Sequence, residues 1–326
     1  MYRLLADIFN DTAMVLECLS PAFPKPIRVT ILATSSALKA LCGVAAGSSK
    51  ASLSAHFARW GNLGELNAKD SSQETVISLL GMLAGSAVVS IITTPFATWS
   101  TLMLLLSTHL AMNYRAVRSV SMRSLNRQRA NIVFGNLLAN DKLLTPTQVS
   151  QQERVFERDG AMRNAHDKIM GYARIGVSFG ELVEHLEVPE QSRIPKSSMQ
   201  VRSSCLNILM DIFHPQRAEY ILWLDSRTRR CWIVLRQNCS VGSQLRAWYT
   251  SFVALNNLMT VTTTNKKAGT VGLLSTEDTL DVLRKAQLHT QTHFTAIEKR
   301  LETAGWDLNT AALETRSGFR IGPLTE

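Results

Sequence analysis

The feature that most constrains this chain is a long stretch without a single charged side chain. No Asp, Glu, Lys or Arg occurs from residue 75 to residue 114, and Pro95 divides the stretch into two apolar segments, 76–94 and 96–112. As helices, these segments would be roughly 28 and 25 Å long, against a hydrocarbon core of about 30 Å. The pattern predicts a hairpin of two membrane-spanning helices. A hairpin buried in a large soluble core is the alternative.

A run of arginines follows the apolar stretch directly. Its members are Arg115, Arg118, Arg123, Arg127 and Arg129. Basic residues favour the cytoplasmic flank of membrane helices and attract anionic lipid headgroups. We therefore expect an intracellular membrane, with lipids as partners and with the basic flank and the following domain on the cytoplasmic or equivalent side. A nucleic-acid binder would concentrate its charge in a patch on a folded surface, so no nucleic-acid partner is predicted.

The N-terminal region adds an amphipathic segment and a third apolar segment. Residues 4–19 have helical periodicity, with Asp7 and Asp11 off the apolar face. The predicted apolar face comprises Leu5, Ile8, Phe9, Thr12, Val15, Leu16 and Leu19. Residues 29–47, interrupted only by Lys39, are expected to cross the membrane or to lie at its surface.

The start of the chain is not that of a secreted protein. Asp7 interrupts the apolar run that a signal peptide needs. The five cysteines include no close pair and no CxxC spacing, which argues against a disulfide framework and against a zinc site. The chain is therefore expected to stay inside the cell.

Beyond residue 135 the sequence changes to mixed signals for helices and strands. Thr145-Pro146 marks a helix start. The other predicted elements are a strand at 174–179, a β-hairpin of 218–224 with 231–236, and helices at 181–186, 243–258 and 279–304. The expected fold class is mainly α: a helical membrane-associated region over residues 1–135, followed by a small α+β domain over residues 136–326.

Polar side chains at the edge of the apolar hairpin are candidates for a ligand or interface site. Lys69, Asp70 and Glu74 lie where a polar connector meets the first apolar segment. A capping box from Ser71 to Glu74 would explain the same region as an ordinary helix start. Both interpretations stay open at this point.

Three histidines are candidates for functional side chains. His109 is a candidate because an ionisable group inside a membrane segment is often functional, although it also lies near the arginine-rich end and could reach the interface. His289 and His293 have the four-residue spacing of metal ligands but lack a third ligand and the Glu of an HExxH motif. No metal site is predicted.

Two GxxxG pairs occur in the apolar segments. They are Gly43 with Gly47 and Gly81 with Gly85. Small residues four apart allow the backbones of two helices to approach closely. The glycines are therefore predicted to serve helix packing, either within the chain or between chains.

Four blocks of sequence resemble the Root UVB Sensitive family. The blocks are Asp7-Ile8-Phe9-Asn10-Asp11, Lys39-Ala40-Leu41-Cys42-Gly43, Asn67-Ala68-Lys69-Asp70-Ser71-Ser72-Gln73-Glu74 and Asn113-Tyr114-Arg115-Ala116-Val117-Arg118. The similarity continues more faintly through the 220–235 hairpin and Ala304-Gly305-Trp306-Asp307. Family members usually carry a further glycine-rich segment upstream, so the chain resembles an N-terminally short member.

The resemblance implies a membrane-associated protein connected with the response to ultraviolet-B light and with vitamin B6 homeostasis. It also implies association with family relatives, as a homo-oligomer or a hetero-oligomer. No catalytic residues are carried over from the family, and the sequence contains no phosphate loop, GxSxG elbow or dinucleotide fingerprint. No cofactor is predicted, and the chain is expected not to be an enzyme.

Three functions are consistent with these patterns. The first is a membrane scaffold or adaptor that acts with family relatives. The second is a subunit of a small-metabolite transporter, suggested by glycine-interrupted helices and by His109. The third is a soluble regulatory protein whose helical hairpin is buried.

Overall fold

The computed structural model describes residues 2–58, 61–154, 156–186, 195–214, 216, 218–267, 274–314 and 318–322, without the side chains of 2, 195–202 and 264–267. The chain separates into two compact units. The first unit comprises residues 1–122 with 154–156, and the second comprises 123–153 with 157–326. The predicted domain boundary after residue 135 falls within the helix Arg127–Asn140 of the second unit.

The first unit is helical throughout its described elements. These are α1 (Tyr2–Leu19), a 3-10 turn (Ser20–Ala22), α2 (Lys25–Phe57), α3 (Leu63–Ile91) and α4 (Pro95–Ser119). Pro21 and Pro24 end the helical path after α1, because proline lacks the N–H that would continue it. Thr94 caps α4 by accepting a hydrogen bond from the N–H of Ala97 at 3.3 Å, with Pro95 in the first turn.

The packing of α1 decides which of its side chains are buried. The helix contacts α2 and α4, and its buried residues include Asp7 and Asp11. Its apolar face is only partly covered, and Leu19 is exposed. The predicted helix is confirmed, while the direction of its faces is set by the packing, because periodicity locates an apolar face without telling whether protein, lipid or water lies against it.

The other helices of the first unit also place apolar side chains outward. The one buried side chain described in α2 is Ser35, whereas Val29 and Val44 are 68% and 70% exposed. No described residue of α3 is buried. By length and composition, α2 and α3 are each apolar enough to cross a membrane.

The capping box predicted at residues 71–74 is not formed. The helix α3 begins eight residues earlier, at Leu63, so Ser71 lies in its interior. The hydroxyl of Thr75 donates to the carbonyl of Ser71 at 2.9 Å, as in a continuous helix. The polar connector is therefore much shorter than expected, because polar residues 63–74 have enough helix propensity to extend the apolar helix upstream.

The second unit combines six helices with a small sheet among its described residues. Its elements are α5 (Arg127–Asn140), α6 (Pro146–Ser150), β1 (Ala161–Arg163), β2 (Ile169–Ile175), α7 (Phe179–Glu184), α8 (Pro195–Ile212), β3 (Tyr220–Asp225), β4 (Arg230–Arg236), α9 (Val241–Lys267), α10 (Thr276–Thr303) and β5 (Arg320–Ile321). The predicted helix start at Thr145 is confirmed, with a complete capping box to Gln148. The expected class, mainly α with a small α+β domain, is confirmed.

The sheet has the order β1-β2-β4-β3, with β5 also paired to β4. The predicted hairpin is confirmed as β3 and β4, which are antiparallel, while β2 runs parallel to β4. The predicted strand at 174–179 was wrong in position, because β2 ends at Ile175. Gly176 then adopts a φ of +78°, which turns the chain toward α7.

Large aromatic side chains fill the core of the second unit. Trp223 and Trp232 are paired across β3 and β4, and both are buried. Helix α9 packs on β2, β3 and α10, and it contributes the buried Trp248 and Tyr249. Trp248 Nε1 donates to Asn131 Oδ1 at 2.9 Å, so its polar atom is satisfied inside the core.

Candidate functional site

The first unit brings His109 of α4 against Asp11 of α1. His109 Nδ1 lies 3.2 Å from Asp11 Oδ2, and His109 Nε2 lies 2.8 Å from the side-chain nitrogen of Asn113. With a proton on Nδ1, His109 donates to Asp11 in both its neutral and its positively charged form. The candidate His109 therefore does have specific partners, and one of them is 98 positions away in the sequence.

A second carboxyl group lies one helical turn before Asp11. Asp7 is 8% exposed, and its Oδ2 has no hydrogen-bond partner among the described residues. Asp11 Oδ1 is likewise buried and without a partner in the described part of the chain. Burial raises the pKa of Asp7, and the Asp11 charge adds to the rise, against the opposing effect of Arg3 and His109. This group of Asp7, Asp11 and His109 is called the α1–α4 cluster below.

Neighbouring polar residues join α1 to α2 beside the cluster. The hydroxyl of Ser35 lies 2.8 Å from Glu17 Oε1 and 3.1 Å from the carbonyl oxygen of Ala13. Lys39 Nζ lies 2.6 Å from Glu17 Oε1. The hydrogen bond from Lys39, followed by that from Ser35, lowers the pKa of Glu17. The contact between the two helices thus includes polar groups, as does the contact between α1 and α4.

The other predicted ligand residues do not act as one group. Asp70 and Glu74 on α3 both contact Lys50 of α2, each at 2.8 Å from its Nζ. Lys69 points to Glu65 instead, at 2.8 Å, as an ordinary pair one turn apart. The sequence interpretation missed Lys50, because nothing in local spacing indicates which lysine pairs with a carboxylate 20 residues away.

The four glycines of the GxxxG pairs make no close packing contact in the described structure. A Cβ atom built on Gly43, Gly47, Gly81 or Gly85 meets no heavy atom within 4 Å other than its own helix. The glycines therefore leave open surface on α2 and α3. Whether they serve packing between chains stays a prediction.

Most of the predicted basic flank has structural partners inside the second unit. Arg129 is buried and pairs with Glu153, and Arg127 pairs with Asp159. Arg127 also donates to the carbonyl of Leu313 at 2.6 Å. Arg123 Nε donates to the carbonyl of Gly305 at 2.9 Å. These three arginines therefore make contacts within the second unit, and their role as a membrane flank stays a prediction.

The other two arginines of the predicted flank lie near the end of α4. Arg115 is exposed at the end of α4, and Arg118 lies over the ring of Tyr114 at 5.3 Å from its centroid. Elsewhere, His289 and His293 are stacked at 4.3 Å. Within the described ranges, no three His, Cys, Asp or Glu side chains are arranged to hold a metal ion.

Parts of both units match family models of known proteins. Residues 1–141 match the family model described as "Vitamin B6 photo-protection and homoeostasis domain", and residues 195–317 match "Root UVB sensitive protein, C-terminal". The α1–α4 cluster lies in the first match, and β3 through α10 lie in the second. No solved structure matches the chain.

Curated relatives carry the same family name. RUS family member 1 of Dictyostelium discoideum is 38% identical over 159 residues, covering 48% of this chain and 30% of the relative. Protein root UVB sensitive 3 of Arabidopsis thaliana is 36% identical over 157 residues, covering 48% and 36%. Protein root UVB sensitive 2, chloroplastic, of the same plant is 25% identical over 194 residues, covering 59% and 43%. The chain aligns with less than half the length of each of these relatives, and with them it belongs to the Root UVB Sensitive family.

Proposed function

We propose that this chain is a membrane-anchored scaffold that holds its α+β domain at the surface of an intracellular membrane. The observation that carries the proposal is the arrangement of the first unit, in which polar side chains are buried between helices beside Leu4, Ala6 and Ala13, while many large apolar side chains face outward. Asp7, Asp11 and Ser35 are buried, while the exposed large side chains of α3 include Leu80 and Ile91. A soluble bundle would have the opposite arrangement.

The energetics favour lipid as the environment of α3. Soluble monomers rarely expose a continuous apolar patch larger than a few hundred Å². In the second half of α3, exposed apolar side chains occur all around the helix. Its 29 residues would be roughly 44 Å long, which is enough to cross a hydrocarbon core of about 30 Å with its polar first turns outside.

The family descriptions supply the process in which such a scaffold would act. One matching model is described by vitamin B6 photo-protection and homoeostasis, and relatives are named for root sensitivity to UVB. We propose that the chain acts in one of these processes together with family relatives. Neither the family descriptions nor the relatives' names denote a reaction. Affinity purification that recovers neither an oligomer nor a relative would contradict the scaffold.

Membrane fractionation tests the anchor. We expect the full chain to stay in the membrane after a carbonate wash and a tag after Glu326 to be digested by protease in intact vesicles. Leu80→Arg should weaken membrane retention, since an arginine near the centre of a membrane helix costs about 2.5–3.5 kcal/mol on insertion scales. Leu288→Arg is the matched control, because Leu288 is similarly exposed, 63% against 57%, on α10 of the second unit.

Release of the unaltered chain by carbonate would contradict the membrane anchor. It would favour the soluble regulatory protein, whose apolar helices are covered by another protein. Equal retention of both arginine variants would show that α3 does not enter the bilayer. The three outcomes separate an integral helix, a peripheral association and a soluble assembly.

A transport subunit is the second candidate function. The observation that favours it is the α1–α4 cluster, because buried ionisable groups within helical membrane regions often line ion or substrate paths. Proteoliposomes containing the chain should then show substrate-dependent flux, for example of a vitamin B6 compound, and His109→Ala should reduce it. Absence of flux with the unaltered chain would leave the scaffold as the supported function.

A further inference from the structure

The α1–α4 cluster contains buried acceptor atoms that no described group satisfies. Asp7 Oδ2 and Asp11 Oδ1 are both buried, and neither has a hydrogen-bond partner in the described ranges. A buried polar atom without a partner costs about 1–3 kcal/mol, and more if it is charged. The two carboxyl groups lie four residues apart on one helix, which places them on the same face.

The charged groups around the cluster do not compensate both carboxylates. Arg3, on the same helix, is exposed and acts on Asp7 only through space. From α4, His109 binds Asp11. From α2, Lys39 forms an ion pair with Glu17, and no ion pair joins Lys39 to Asp7 or Asp11 in the described ranges. Two buried carboxylates therefore share at most one close cation.

A metal ion and a proton are the two cations that buried carboxyl groups commonly bind. The three side chains do not form a metal-binding arrangement in the described structure. A proton needs no cavity, and a neutral carboxylic acid costs far less to bury than an unpaired carboxylate. A protonated Asp7 would also remove the repulsion between two carboxylates one turn apart.

We propose that Asp7, Asp11 and His109 form a proton-binding site that joins α1 to α4. Asp7 is the group that binds the proton, and Asp11 keeps its contact with His109. The inference goes beyond the membrane anchor and does not depend on it. It holds for a scaffold and for a transport subunit alike.

The direction of the pH effect follows from Asp7. Its pKa in the folded chain is raised above the ordinary value of 3.8, so the folded state binds the proton more tightly than the unfolded state. The stability from this group is complete below pH 3.8 and is lost as the pH rises through the folded pKa. Asp7→Asn should therefore make the first unit more stable at neutral pH.

The test is a titration of the full chain labelled with 13C in the aspartate carboxyl groups. The sample is kept in whichever detergent or buffer holds it monodisperse, so that failure of the membrane proposal does not affect the result. The Asp7 signal is identified by its loss in Asp7→Asn. We expect its midpoint to lie at higher pH in the folded chain than in the chain unfolded in urea. Asp281→Asn is the matched control and should leave the Asp7 titration unchanged.

Two neighbouring variants give opposite expected shifts. His109→Gln should move the Asp7 midpoint to higher pH, because a favourable positive charge is removed. Asp11→Asn should move it to lower pH, because a repelling negative charge is removed. An Asp7 midpoint in the folded chain at or below its midpoint in the urea-unfolded chain would overturn the proposal. A shift of the Asp7 signal when sodium replaces choline at constant pH would also overturn it, since the site would then bind a metal cation.

Discussion

Arg129 and Glu153 form a buried ion pair in the second unit, with side chains that are only 10% and 7% exposed. Arg129 also donates to the carbonyl of Ser124 at 2.9 Å, so its guanidinium is held at two positions. The pair joins the start of α5 to the segment after α6. An arginine that follows the apolar stretch in sequence thus has its charge neutralised inside the protein.

Removing one partner of this pair should destabilise the second unit strongly. We expect Glu153→Gln to cost about 3–5 kcal/mol of unfolding free energy, because the arginine is left buried without its counter-charge. Urea denaturation followed by tryptophan fluorescence measures the loss. Asp281→Asn removes one partner of the exposed pair with Lys285 and should change stability by less than about 1 kcal/mol. Similar losses for both variants would contradict the structural role of the buried pair.

The open glycine surface of α3 predicts an effect on association rather than on folding. A Cβ atom added at Gly81 or Gly85 meets no described neighbour within 4 Å. Replacing both glycines by Leu also adds helix propensity. If these glycines pack against a second chain, the variant should lose cross-linked dimers while its thermal unfolding stays unchanged. Ser86→Leu, a change on another side of the same helix, is the control. Unchanged cross-linking in the glycine variant would show that this surface contacts lipid alone.

Gly305 ends α10 in a backbone conformation that favours glycine. Its φ is +92°, and the N–H of Trp306 donates to the carbonyl of Leu301 at 3.1 Å across the helix end. Gly305→Ala should cost about 1–2 kcal/mol in unfolding free energy, through conformation alone, because no atom lies within 4 Å of the added Cβ. Gly180→Ala, without a positive φ, is the control. A loss no larger than that of the control would contradict this role.

Glu219 should make the second unit sensitive to acid. The hydrogen bond from the Ser240 N–H at 2.9 Å is the main reason that the pKa of Glu219 is lowered, against the opposing effect of burial. A lowered folded pKa gives stability that is present above pH 4.5 and lost as the pH falls through the folded value. Glu219→Gln should cost about 1–2 kcal/mol near neutral pH and should flatten the loss on acidification.

Thermal unfolding of the Glu219 variant and the unaltered chain, followed from neutral pH to about pH 3, measures this difference. Glu302→Gln, at an exposed glutamate of α10, is the control. Parallel pH profiles for Glu219→Gln and the unaltered chain would show that the Ser240 contact does not contribute.

Local patterns were sufficient for several elements of the fold. The β3–β4 hairpin was predicted because two short apolar runs and the polar turn between them lie within 20 positions. The helix start at Thr145 was predicted because its cap and its proline are adjacent in sequence. Both signals depend on residues that are close in sequence, so the local structure that they predict does not depend on how distant segments pack.

Long-range pairings could not be predicted in the same way. Asp11 and His109, like Lys50 and Glu74, come together only when separate helices pack. Periodicity predicted that α1 is an amphipathic helix, and only the packing shows that Asp7 and Asp11 are buried. Periodicity carries no information about the medium that surrounds the bundle.

The sequence by itself determined the helical class of the first unit, the position of the hairpin in the second, and the family, because these depend on composition and on local order. Only the tertiary structure decided which charged side chains are paired and which are buried. It assigned Arg129 to an internal ion pair and left Asp7 with an unsatisfied oxygen, since the cost of burying a charge depends on partners that distant parts of the chain supply.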